Sequence, residues 1–184
     1  ARLVAGLPAG VALRLNVATA FDCPFDGMVT SDEVIALLDQ LVPIRPNAEI
    51  ALCDTTGRAT PDQVAALFAR VIERFPDGSG GVFHGHDTYG LGVANVLAAY
   101  GAGARAFDAS FAGLGGCPFA PGATGNVATE DVVWTFDKMG ISTGVDLDRL
   151  LDVAEDAVAI PGAMAGGRVR TALHSARCTR GLVP

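Results

Sequence analysis

The sequence predicts an α/β protein built from about four parallel strand–helix units. Short apolar runs alternate with longer stretches in which apolar residues recur at helical spacing, and no linker interrupts the 184 residues. Half of the residues are hydrophobic, but Asp, Arg or Gly cuts the apolar stretches every few positions. This pattern indicates many short elements around a buried parallel sheet, organised as a single domain over 1–184.

The first two units are predicted from two strand patterns, each followed along the chain by signals of a helix. ALRLNVATAF (12–21) predicts a strand, and a helix is expected to begin at Thr30 or Ser31. AEIALCD (48–54) predicts a second strand. Pro61 suits the first turn of the helix PDQVAALFARVIERF that follows it.

The next two units repeat this order. GGVFHGHD (80–87) predicts a third strand before the helix LGVANVLAAYGAG, and ARAFDASFAG (104–113) predicts a fourth. After a Gly/Pro-rich loop, Thr129 is expected to cap the helix TEDVVWTFDKMG, and Pro161 to stop a last helix, LDRLLDVAEDAVAI. Such units form either an open doubly wound sheet or part of a barrel. A complete (β/α)8 barrel needs about 250 residues, so this chain could hold only about half of one.

Composition argues against several classes of protein. The net charge of −7, without a basic stripe, argues against nucleic acid binding. No apolar run reaches the about 18 residues that a membrane span needs. The four dispersed cysteines and the lack of a signal-peptide pattern favour free thiols in the cytoplasm. We expect a chain that begins partway through a longer protein, since it lacks an initiator Met, and a solvated tail that contains Arg168, Arg170, Arg177 and Arg180.

The motif His84-Gly85-His86-Asp87 is the sharpest candidate for chemistry. Residues two apart in a strand point to the same face, so both imidazoles would converge where the third strand ends. Parallel α/β enzymes place their sites at that end of the sheet. Two polar residues at a strand end are the alternative, but two of the chain's three histidines meeting there favour a metal site.

The loop after the fourth strand is the second candidate. GLGGCPFAPGATGN is rich in glycine, so it could close over a ligand or be an ordinary surface loop. Asn126 could be a turn residue, although its amide oxygen also suits a divalent cation. Cys117 could be a small buried hydrophobe, but its place between Gly116 and Pro118 favours an accessible thiol.

Polar residues on the first two strands complete the candidate site. Asp54 ends the second strand, where it could start a helix or face the same end of the sheet. Asn16 is polar among apolar residues of the first strand and could reach the same cavity. Cys23 and Cys53 are interpreted as packing residues.

Three segments together carry a resemblance to a known family. HGHDTYGLGVANVLAAYGAGARAFDASFAGLGGCPFAPGATGNVATEDVV (84–133) closely resembles the hydroxymethylglutaryl-CoA lyases, and NVATAFDCPFDG (16–27) and LCDTTGRATP (52–61) also fit them. The HxHD motif alone is also similar to related metal-dependent barrel aldolases and Claisen-type synthases, and the glycine-rich loop points to the lyases. The resemblance implies the C-terminal half of a (β/α)8 TIM barrel, with about four parallel strand–helix units and a C-terminal helix.

The resemblance also implies an activity and a set of site residues. It implies retro-Claisen cleavage of 3-hydroxy-3-methylglutaryl-CoA, an acyl-CoA thioester, to acetyl-CoA and acetoacetate with Mg²⁺ or Mn²⁺, by a protein that forms homo-oligomers (dimers) at full length. His84, His86 and Asn126 are similar to metal ligands of the family. Cys117 matches its catalytic cysteine, and His84 could share in proton transfer. Asp54 and Glu130 match positions of the family near the substrate. Asn16 is predicted as a further substrate-side residue because of its place on the first strand.

One departure from the family leaves alternatives open. The family's opening Arg-Asp pair, which holds a further metal ligand, has no counterpart ahead of ALRLNVATAF, and three ligands without a carboxylate hold Mg²⁺ poorly. We therefore expect weak or no activity from the chain alone. The alternatives are a related lyase acting on citramalyl-CoA or on a longer 3-hydroxy-3-substituted glutaryl-CoA, and an inactive half-barrel that needs a partner or its missing N-terminal half.

Overall fold

The chain folds into two compact units. The computed structural model describes residues 6, 8, 10–76, 81–116, 125–161 and 166–180. The first unit comprises the described parts of Ala1–Gly85 and Ala94–Asp108, and the second those of His86–Val93 and Ala109–Pro184. The single domain over 1–184 stays a prediction.

A four-stranded parallel sheet forms the centre of the first unit. Its strands lie in the order β1-β4-β5-β6, and a short antiparallel hairpin, β2 with β3, follows β1. The strands are β1 (Arg14–Val17), β2 (Asp22–Cys23), β3 (Gly27–Met28), β4 (Glu49–Asp54), β5 (Val82–Gly85) and β6 (Ala106–Asp108). Each predicted strand therefore contains one strand of the sheet. The first prediction extends too far, because the chain leaves the sheet after Val17.

Helices connect the strands of the first unit, and local sequence determines where they begin. They are α1 (Ser31–Leu41), α2 (Pro61–Arg74) and α3 (Gly92–Gly101), the last of which begins in the second unit. Thr30 caps α1 by accepting a hydrogen bond from the Glu33 amide, while the Glu33 carboxylate accepts one from the Thr30 amide at 2.8 Å. Pro61 occupies the first turn of α2, as predicted.

The two faces of the sheet differ in side-chain size. One face carries large apolar residues, including Ile50, Leu52 and Phe83, all 1% exposed or less. The Phe83 ring packs edge-on against that of Phe68 from α2, with 6.0 Å between their centroids. The opposite face carries small residues, among them Ala51 and Val82. Because the helices cover the large residues, the polar side chains of the sheet lie mainly on the small-residue face.

The second unit is largely helical. A 3-10 turn at Phe111–Gly113 precedes α4 (Thr129–Lys138), α5 (Leu147–Val158) and α6 (Arg168–Arg180). Two expectations are corrected here. The N-cap of α4 is Ala128 and not Thr129, and the segment taken for a solvated tail is helix α6. Among the residues described, no helix is long and apolar enough to cross a bilayer.

Candidate active site

His84 lies near the carboxyl end of β5, on the small-residue face of the first unit's sheet. The strand register places it in one row with Cys53 of β4 and Asp108 of β6. Alternation along β1 puts Asn16 and Arg14 on the same face, and Asn16 is exposed there. The first unit thus brings His84 and Asn16 to one face, as predicted, and adds two charged residues that the sequence analysis did not single out.

Arg14 and Asp108 form an ion pair across this face. One terminal nitrogen of Arg14 donates to both carboxylate oxygens of Asp108, at 2.9 and 3.0 Å, and Arg14 Nε donates to Glu49. The pair joins the two outer strands, which a flat sheet with about 4.8 Å between strands would hold about 14 Å apart, farther than the two side chains span. The sheet is therefore curved, with this face on its concave side.

Asp108 also contacts His84. His84 Nδ1 lies 3.3 Å from Asp108 Oδ2, and the side chains of His84, Asp108 and Glu49 are each about one-third exposed. The hydrogen bonds with Glu49 and then Asp108 raise the pKa of Arg14 above its ordinary value. Burial, followed by the negative charge of Asp108, raises the pKa of the neighbouring Cys53 thiol to about 11, which agrees with its interpretation as a packing residue.

Asp54 ends β4 with its side chain on the opposite face from His84. It is 0% exposed, and its oxygens accept hydrogen bonds from the Ala59 amide at 3.2 and 3.3 Å. Burial raises its pKa to about 6, although the backbone hydrogen bonds oppose this rise. Asn95 of α3 holds the same loop by donating to the Ala59 carbonyl at 2.8 Å. These contacts give Asp54 a role in shaping the loop after β4, and its contact with substrate stays a prediction.

His86 and Asn126 belong to the second unit, which pairs them directly. They form an antiparallel β-bridge, and the Asp87 amide donates to the Gly125 carbonyl at 3.0 Å. The Asn126 amide nitrogen donates to two carbonyls, those of Leu114 at 2.8 Å and Gly115 at 3.0 Å. Because both partners are acceptors, the orientation of the amide is defined, and Oδ1 is the atom that it presents as an acceptor.

A close approach between Gly113 and Gly125 lies next to Asn126. A Cβ at Gly125 would overlap the Gly113 carbonyl oxygen, and Gly125 has a φ of 132°. No other residue fits this position without moving the backbone. The two glycines therefore fix the path of the chain into Asn126.

Glu130, in the first turn of α4, is fully buried. Its Oε2 accepts a hydrogen bond from the Ala112 amide at 3.1 Å, whereas Oε1 has no hydrogen-bond partner among the residues described. Burial raises the pKa of Glu130 above its ordinary value. The carboxyl thus holds the 3-10 turn, where Ala112 has a left-handed φ of 53°. Its predicted contact with substrate stays untested.

Asp131, in the first turn of α4, caps a second helix. Its two oxygens accept hydrogen bonds from the Arg168 amide at 3.0 Å and the Val169 amide at 2.8 Å, at the start of α6. Sequence pattern carries no signal for this contact, because the partners lie 37 and 38 residues away.

The predicted metal ligands supply suitable but incomplete donors. His84 directs Nδ1 to Asp108, and Asn126 directs its amide nitrogen to carbonyls. Two imidazoles and an amide oxygen suit a divalent ion but carry no charge. Within the described ranges, no group of three or more His, Cys, Asp or Glu residues could hold a metal. Cys117, the predicted catalytic thiol, lies outside the described residues.

Comparisons with known proteins agree on one family. The model of the family described as HMGL-like matches residues 9–157. The (R)-citramalyl-CoA lyase of Chloroflexus aurantiacus is 46% identical over 79% of this chain and 45% of its own length. The hydroxymethylglutaryl-CoA lyase of Pseudomonas mevalonii is 43% identical over 79% of this chain and 48% of its own length. The chain therefore spans about half the length of these curated relatives.

Solved structures give the same result. An HMG-CoA lyase from Acinetobacter baumannii, in complex with coenzyme A and 3-methylmalate, matches 93% of this chain and 55% of its own, with a TM-score of 0.84 and 40% identity. The HMG-CoA lyase of Pseudomonas aeruginosa matches 90% of this chain and 54% of its own, with a TM-score of 0.81 and 37% identity. Together with the parallel sheet and its connecting helices, these matches confirm the predicted fold class, the C-terminal half of a (β/α)8 barrel.

Proposed function

The chain belongs to the HMGL-like family, and on that premise we propose that it is part of a lyase that cleaves 3-hydroxy-3-methylglutaryl-CoA to acetyl-CoA and acetoacetate. One observation carries the proposal. The family match over 9–157 includes every candidate site residue, from Asn16 to Glu130. Both the relative that is 43% identical and the two solved structures described above are named as lyases of this thioester, which favours this substrate.

We propose His84, His86 and Asn126 as ligands of a Mg²⁺ or Mn²⁺ ion. A divalent cation would supply Lewis-acid polarisation of the substrate's tertiary hydroxyl and carboxylate oxygens. Imidazole nitrogens favour Mn²⁺ over Mg²⁺, which prefers charged oxygen donors. The directed hydrogen bonds of His84 and Asn126 support their assignment, because ligands held by neighbouring groups need no reorganisation to bind.

The reaction also needs groups that move protons. The hydroxyl proton must leave before the carbon–carbon bond breaks, and the enolate of acetyl-CoA must then be protonated. We propose Cys117 as the proton donor of the second transfer. His84 can take the hydroxyl proton of the first only on a nitrogen that neither holds the cation nor already carries a proton, so its roles as base and as metal ligand are alternatives. Asp54, Glu130 and Asn16 are the proposed substrate-side positions, and Glu130 has the environment of a carboxyl that remains protonated above its ordinary pKa.

The decisive experiment is an assay of acetoacetate and acetyl-CoA release by this chain, with and without Mn²⁺. Metal-dependent release that the substitution His86→Ala abolishes would support the proposal. Asp32→Asn is the matched control, since Asp32 is an exposed surface carboxylate whose side chain is 85% accessible. Full activity of His86→Ala would refute the ligand assignment.

Two alternatives give different outcomes in the same assay. The identity of 46% to a citramalyl-CoA lyase favours that thioester as the second candidate, and cleavage of citramalyl-CoA alone would select it. The uncharged ligand set and the half-length match favour a half-barrel that is inactive without a partner. A folded chain that binds Mn²⁺ but releases no product would select that candidate.

A further inference from the structure

The contacts of Asp108 determine which nitrogen of His84 carries its proton. A carboxylate accepts hydrogen bonds and cannot donate them, so the 3.3 Å contact between Asp108 Oδ2 and His84 Nδ1 requires a hydrogen on Nδ1. In the neutral ring the lone pair is then on Nε2. The hydrogen bond also limits rotation of the ring about its bond to Cβ.

Asp108 is itself held in place by Arg14. The arginine donates to both of its oxygens and is anchored on its other side by Glu49, on the neighbouring strand β4. The three side chains therefore form one network that crosses the concave face from β1 to β6. Its formal charge is one positive and two negative, so the network presents a net charge of −1 beside His84.

We propose that Asp108 is a positioning residue for His84, which it holds as the Nδ1–H tautomer with the lone pair of the ring on Nε2, and that Arg14 keeps Asp108 in place for this role. The tautomer stands on the geometry of the first unit alone, whereas the consequence for metal binding rests on the proposed function. The network also places a negative charge beside His84. The three proposed metal ligands carry no charge themselves. Carboxylates behind a metal-binding histidine typically contribute 10- to 100-fold to metal affinity.

The first test reads the tautomer without metal. Long-range ¹H–¹⁵N spectra of the chain labelled in its three histidines, taken at about pH 8.5 where an ordinary imidazole is neutral, report which nitrogen of each ring is protonated. His84→Gln assigns the His84 signals by their disappearance. We expect Nδ1–H in the unsubstituted chain. Nε2–H at His84 in that chain would overturn the proposal, and this outcome depends on no variant of the network.

The second test uses variants of the network. Asp108→Ala should lose the Nδ1–H tautomer, because alanine has no acceptor for it, and Asp108→Glu should restore part of it, because the carboxylate is retained. Arg14→Gln should reduce the Nδ1–H population while Asp108 is still present. Asp32 lies outside this network and accepts a hydrogen bond of 2.7 Å from a different arginine. The spectrum of Asp32→Asn should therefore match that of the unsubstituted chain. An unchanged His84 signal in both Asp108→Ala and Arg14→Gln would overturn the proposal.

Binding of Mn²⁺, followed by the electron paramagnetic resonance of the free ion, separates the inference from the proposed function. We expect Asp108→Ala to weaken binding about tenfold, the lower end of the typical range, because the network is one-third exposed. A changed tautomer with unchanged Mn²⁺ affinity would support the positioning of the ring and refute His84 as a ligand. An unchanged tautomer would overturn the inference whatever the affinity does.

Discussion

Replacing Asp54 with Asn should change how the stability of the chain depends on pH. Asp54 is fully buried, and burial raises its pKa from 3.8 to about 6 in the folded chain. Asn retains an oxygen that can accept the hydrogen bond of the Ala59 amide but does not titrate. The substitution therefore removes the buried charge and largely preserves the shape of the loop.

The sign and size of the effect follow from proton linkage. Between pH about 4 and 6 the folded chain holds the Asp54 proton more tightly than the unfolded chain, so stability falls as the pH rises through this window. A difference of about two pKa units corresponds to about 3 kcal/mol. The free energy of unfolding of the unsubstituted chain, relative to that of Asp54→Asn, should thus decrease by about 2 kcal/mol from pH 4 to pH 7, because the unfolded carboxyl is already partly ionised at pH 4.

Urea unfolding followed by circular dichroism at several pH values measures this difference. Asp32→Asn serves as the control. Because the Asp32 side chain is exposed, the difference in unfolding free energy between this variant and the unsubstituted chain should stay constant with pH. A relative stability that stays flat to within about 0.5 kcal/mol would show that burial does not govern Asp54. A relative stability that increases with pH would mean that the backbone hydrogen bonds outweigh the cost of burial, and would refute the reasoning.

Three further substitutions test the packing and the backbone. Gly125→Ala places a methyl group on the Gly113 carbonyl and should lower the midpoint of urea unfolding by more than Gly140→Ala does. A Cβ at Gly140 meets open space, so that control costs only the about 1–2 kcal/mol of a left-handed backbone. Equal losses would contradict the close approach. Phe83→Ala should cost about 3–5 kcal/mol in the same experiment, because it empties a fully buried site, and a loss below about 1 kcal/mol would show that the core refills. Asp131→Ala should cost about 1–2 kcal/mol and speed amide exchange at Arg168 and Val169, and unchanged exchange there would exclude the cap.

Local pattern predicted the elements well where the signal itself is local. Helix α2 has a proline in its first turn, an apolar stripe, and Gln63 at its third position, whose side chain accepts a hydrogen bond from the Thr60 amide. In the structure this helix begins at Pro61. Helix α6 was missed because its stretch is polar and rich in arginine, so it has no apolar stripe to detect. Part of what stabilises its start is Asp131, a residue distant in sequence, and such a contact is invisible to periodicity.

The candidate site shows the same limit. The sequence analysis placed Asp54, His84 and Asn16 on strands of one sheet, which is correct. The face to which Asp54 points depends on the register between β4 and β5, which the sequence pattern does not reveal. Asp108 carried a usable signal, since it lies in the predicted fourth strand and charged residues are rare in buried parallel strands. Its partner Arg14 could not be predicted, because their pairing depends on the curvature of the sheet.

The carboxylate pair Glu130 and Asp131 has a consequence for how the second unit comes apart. One side chain holds the turn at Ala112 and the other holds the start of α6, so both attachments leave from a single turn of α4. Unfolding of α6 would remove both hydrogen bonds that Asp131, now 7% exposed, accepts, at a site close in the chain to Asn126. Fraying of the final helix should thus spread inward as one cooperative step, and a shorter version of the chain that ends before Arg168 should lose order around Asn126 as well.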